Sequence, residues 1–253
     1  MTWLETTADT FTARHDERDS ADAEQVLRTL EGARVRLERT FAAGVGELDI
    51  VLHGTEAQLD GAAPLLPVLR RLTAPAGRRY VVGWAGEREI HVLSPRVLAK
   101  RASNVEGSLE MLMLAPVALL AKRVVAEVNP ALATKLGPRM IARYTRSAWM
   151  IEGAGQYFSG QVDHARPAIA RRLREGTEPA FPPGRADAII LGGSVFDLLC
   201  REEGEAAGVA LARGDYALDE AFRDRPRRHT EGTWHAHLRR MAENRQLERR
   251  PLR

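Results

Sequence analysis

The chain has 253 residues, of which 44% are hydrophobic and 28% charged, with a formal net charge of +3. Those proportions are ordinary for a globular protein, and this length buries a core that needs neither a disulfide nor a metal in order to fold. The single cysteine, Cys200, excludes an intrachain disulfide, and the longest apolar stretch, Met111 to Ala121, is too short for a bilayer span of about 20 residues.

The opening residues show no basic start followed by an apolar run, so no signal peptide is read and a cytoplasmic location is expected. Phe11 to His15 alternates and reads as a strand. Val26, Leu27, Leu30, Val35, Leu37 and Phe41 recur at helical spacing, which predicts an amphipathic helix over 21–42, ended by Gly44 and Gly46. Glu47 to His53 is a strand with an apolar centre. A helical region over 55–72 leads to a turn at Ala74–Gly77. Strands at Arg79–Trp84 and Glu89–Leu93 then form a hairpin.

Ser94 and Pro95 open a helix as N-cap and first helical residue. From there helices are expected at 107–128, 138–160, 163–175, 190–203, 204–212 and 230–247. The order of elements makes the protein α+β: an α/β lobe over 1–105 and a mostly helical lobe over 106–253, packed as a single domain.

Charge is unevenly distributed. Residues 1–60 hold 13 acidic and 6 basic side chains, whereas residues 223–253 hold 10 arginines and 4 acidic residues. An Arg-rich adaptor docking on an acidic partner is one reading of that end. A solvated helix with a basic tail is the plainer one, because acidic residues are interspersed and only Trp234 offers an aromatic platform. No strong nucleic-acid signal emerges. Lysine is confined to Lys100, Lys122 and Lys135.

The run Trp149-Met150-Ile151-Glu152-Gly153-Ala154-Gly155-Gln156-Tyr157 is the most informative segment. Read alone, it is an amphipathic helix in which Gly153 and Gly155 permit close packing. It also resembles the W-[L/M]-x-E-G-x-A-E-Y motif on the second metal-binding helix of gluzincin metallopeptidases, the peptidase MA-like family. Weaker likenesses run alongside it. Phe11 to Phe41 resembles the family's strand and long helix, and Glu89 to Pro95 its edge strand and Ser-Pro turn. Gly192 to Leu199 resembles a helix closing behind the site, and the segment around Trp234 the terminal helix.

In that family the preceding helix carries H-E-x-x-H. Histidines at i and i+4 place two imidazoles on one zinc, and the intervening Glu acts as general base. The resemblance implies that Glu152 would be the third ligand. The best register puts Ala115, Pro116 and Leu119 where His, Glu and His should stand, and no H-x-x-x-H occurs anywhere.

The expectation is therefore a gluzincin-like domain without catalytic residues, metal or cofactor. Its vestigial site would comprise Glu152, Trp149, Gly153, Tyr157, Ala115, Pro116 and Leu119, offering a carboxylate from one helix and only hydrocarbon from the other. A peptide or protein ligand would occupy the cleft. A carboxylate among apolar groups needs a cation to stay charged, and Arg139, Arg143 and Arg146 are candidates. The alternative is a hydrolase with a non-standard metal site combining Glu152 with His91 or His164.

Other chemistry is thinly supported. Ser194 lacks the last glycine of a nucleophile elbow, Phe196 standing there, and reads as a cap or first-turn residue. Cys200 reads as a buried core thiol. His235 and His237 lie on different helical faces, cannot share an ion, and with His229 read as exposed.

Overall fold

The N-terminal sheet is built by alternation. The structure, a computed structural model, describes residues 3–132 and 140–243, the side chains of 140–146 excepted. Five strands, β1 (Trp3–Thr7), β2 (Phe11–Asp16), β3 (Leu48–His53), β4 (Gly83–Ala85) and β5 (Glu89–Leu93), lie in the order β1-β2-β3-β5-β4. The three central strands are parallel and both edges antiparallel. Register aligns Ala13, Ile50 and Ile90 in one row, and all three are fully buried. Their sequence neighbours point to the other face, where Arg14 pairs with Glu89 and Asp49.

The long helix α1 (Ser20–Phe41) buries Ala23, Leu27, Leu30, Ala33, Leu37 and Phe41 along one stripe, which packs on β2. It ends at Ala42, whose φ of 51° takes the left-handed C-terminal position, and not at the glycines downstream. Helix α6 (Ala115–Val128) lies against β4, β5 and α1, so sheet and helical half share one apolar core.

Two expected helices are each divided at a proline. Residues 55–72 form α2 (Glu56–Ala62) and α3 (Leu66–Leu72), because Pro64 drives Ala63 out of helical conformation. Residues 107–128 form α5 (Ser108–Met113) and α6, the chain restarting at Leu114 so that Pro116 sits in a first turn, where its missing N–H costs nothing. Between α3 and β5 the expected strand is largely absent. Arg78–Tyr80 is a 3-10 turn, and Arg101 and Arg70 donate to the carbonyls of Arg79 and Val81, which leaves only Gly83–Ala85 to pair. Helix α4 (Pro95–Arg101) starts where expected, although Ser94 caps it without a side-chain bond.

The remaining helices are α7 (Met140–Ser159), α8 (Arg166–Arg174), α9 (Ala188–Glu203), α10 (Glu205–Arg213), α11 (Leu218–Ala221) and α12 (Arg227–Glu243). The α8 segment begins later than expected because Gln161–His164 forms a 3-10 turn. α9 is buried on nearly all sides, and its closest neighbour is α7. A Cβ on Gly153 would lie 2.5 Å from the Gly192 carbonyl oxygen, and one on Gly192 would lie 2.6 Å from the Trp149 carbonyl oxygen. The two backbones therefore touch directly. Ser194 stands in the interior of α9, not at its start; it donates to the Leu191 carbonyl and accepts from Trp234 Nε1 at 2.8 Å.

Candidate functional site

The end strand β4, the outward face of α6 and the α7 face carrying Glu152 form three sides of the cleft, and residues of α3, α5 and α9 complete its wall. On α6, Ala115, Ala118, Leu119 and Lys122 fall on one side by helical spacing and all line it. Glu152 and Gln156 line it from α7, and Trp84 from β4. The cleft encloses about 870 Å³, its open mouth included.

At its base Lys122 Nζ meets Glu152 Oε2 at 2.5 Å. Their side chains are only 16% and 8% exposed, so the pair is desolvated. Helix α6 thus supplies more than hydrocarbon: the cation that Glu152 needs comes from the facing helix. Of the arginines expected to supply it, Arg139 and the side chains of Arg143 and Arg146 lie outside the described residues. The face opposite α7 is also one turn further along than expected. A Cβ on Gly155 would lie 2.8 Å from Lys122 Cγ and 3.0 Å from the Ala118 carbonyl oxygen, so Ala118 and Lys122 form the i, i+4 pair turned toward α7. Pro116 is buried in the first turn of α6 and does not line the cleft.

The W-x-x-E-G run splits between two faces of α7. Trp149, Gly153 and Tyr157 recur every fourth residue and turn to α9. The Trp149 and Tyr157 rings lie 6.4 and 6.3 Å from that of Phe196. Glu152 and Gln156 turn to the cleft. Gln156 holds α9 in place, its Nε2 donating to the Ala188 carbonyl and its Oε1 accepting from Gly193 N–H. Gln161 donates to the Met111 carbonyl at 2.7 Å.

The histidines lie elsewhere. His91 is on the outer sheet face, its Nε2 3.1 Å from Glu89 Oε2 and its Nδ1 3.1 Å from His53 Nε2. Neither His91 nor His164 lines the cleft. Among the described residues no three His, Cys, Asp or Glu side chains are grouped to hold a metal ion. His235 and His237 are not exposed as expected. His237 Nε2 lies 3.0 Å from Asp197 Oδ2, and His235 Nε2 bonds the Pro179 carbonyl at 2.8 Å. Cys200 is partly buried, and burial pushes its thiol up to about 11, so the thiolate is disfavoured. In the basic C-terminal region Arg223, Arg225 and Arg239 pair with Glu203, Glu202 and Glu178.

His53 is 3% exposed, and burial beside His91 brings its pKa down from 6.5 to about 4. The unfolded chain therefore takes up a proton that the folded one refuses. Stability should be full above pH 6.5 and fall by on the order of 2 kcal/mol as pH drops toward 4. Urea melts of the protein and of His53→Asn across that window check this; equal slopes would refute it.

Comparison with protein-family models, with curated proteins and with solved structures finds no match to this chain. Among the described residues, no helix is long and apolar enough to cross a membrane.

Proposed function

We propose that this chain is a non-catalytic binding module on a gluzincin-like scaffold, taking a peptide or protein segment in the cleft between β4, α6 and α7. One observation carries the reading: the Glu152 carboxylate is ion-paired by Lys122 from the helix opposite. In the metallopeptidase arrangement that space belongs to a metal ion gripped from both helices. Here the i, i+4 positions are Ala118, which has no donor atom, and Lys122, whose ammonium cannot ligate and repels a cation. The residues do not fit a catalytic zinc. The mixed sheet, its short antiparallel end strand beside the cleft and the two adjoining helices support the scaffold assignment.

The test has two arms. Protein purified without a His-tag is expected to hold no stoichiometric zinc by elemental analysis. The variant Ala118→His/Lys122→His should acquire one Co²⁺ or Zn²⁺ per chain with Glu152 as a further ligand, and adding Glu152→Gln should weaken binding at least about tenfold. One tightly held zinc in the unaltered protein, or no metal in the double variant, would overturn the reading.

A further inference from the structure

Among the described residues, the charged and amide side chains lining the cleft share one property: each is already paired within the protein. Lys122 and Glu152 neutralise one another. Arg123, at the rim, donates to the Glu87 carbonyl and pairs with Glu127. Gln156 binds α9 main chain through both amide atoms, and Gln161 donates to Met111. What remains toward the cleft is largely hydrocarbon and the indole of Trp84, with Leu66, Leu69, Leu119 and Ile189 among the walls.

From this we infer that the group entering the cleft is uncharged and mostly hydrocarbon; the inference rests on the binding-module reading and names the chemistry its ligand presents. An ionic group would lose its hydration without finding a free counter-charge among the described residues. To gain one it would have to part Lys122 from Glu152 and strand the other charge in a desolvated site. An apolar group loses nothing on entry and removes the cleft walls from water.

A matched series isolates the charge: 1-hexanol, hexanoate and hexylammonium share a chain and differ at the head. Titrations are followed through the Trp84 indole N–H resonance of the full chain. Hexanol should bind at least ten times more tightly than either ion. Ala115→Leu, which fills the cleft, should abolish binding. If that variant does not fold, Leu69→Asp on the half-buried wall should do the same. Equal or tighter binding of either ion, or no binding of hexanol at its solubility limit, overturns the inference. The metal experiment above does not depend on this series, so failure of one is distinguishable from failure of the other.

Discussion

Gly153→Ala is expected to destabilise the protein by about 3 kcal/mol or more. The added carbon would sit 2.5 Å from the Gly192 oxygen and 2.6 Å from its carbonyl carbon. Both are backbone atoms in the middle of a buried helix, so no rotamer change relieves the contact, and α7 and α9 must part. Helix propensity works the other way, since alanine is favoured over glycine by about 1 kcal/mol in a helix interior. A net loss therefore reports the contact alone. Gly61, in α2, has nothing within 4 Å of its would-be Cβ, and Gly61→Ala should be neutral or stabilising by up to about 1 kcal/mol. Denaturant melts of the pair decide the matter. Similar midpoints for the two variants would mean that the helices are not in backbone contact.

Lys122→Met should cost about 3 kcal/mol, because it removes the ammonium that pairs with the buried Glu152 carboxylate. Glu152→Gln should cost less, about 1–2 kcal/mol, since the long lysine side chain that remains can extend its ammonium to water. The double variant Lys122→Met/Glu152→Leu should recover to within about 2 kcal/mol of the parent, as replacing both members of a buried pair avoids an orphaned charge. Chemical denaturation of these variants, with Glu152→Leu alone closing the cycle, gives the coupling energy. Strictly additive losses would show that the two groups do not interact.

Local periodicity carried much of this architecture. The stripe from Ala23 to Phe41, the alternation in β2 and the apolar centres of β3 and β5 are properties of short segments, and each appears in the fold within a residue or two of its expected bounds. The first strand was not legible: Trp3 and Leu4 are exposed on a sheet edge and lack the pattern burial imposes. Pro64 and Pro116 were visible signals, and each divides a helix that the apolar pattern alone ran together. The region before β4 misled because arginines from α3 and α4 occupy its carbonyls, a contact between distant segments.

At the site, Glu152 stood out by itself, as a carboxylate in an apolar helix beside glycine. Lys122 did not, although a lone lysine in the apolar run from Ala115 to Val128 was a usable signal in a chain with three lysines. By itself the sequence determined which segments are helical, which face of each is apolar, and that no i, i+4 histidine pair exists. Only the tertiary structure decided which turn of α6 meets Glu152. That register follows from how closely α7 approaches α6 at Gly155 and α9 at Gly153, and the depth of a helix crossing depends on both partners at once, which no local pattern contains.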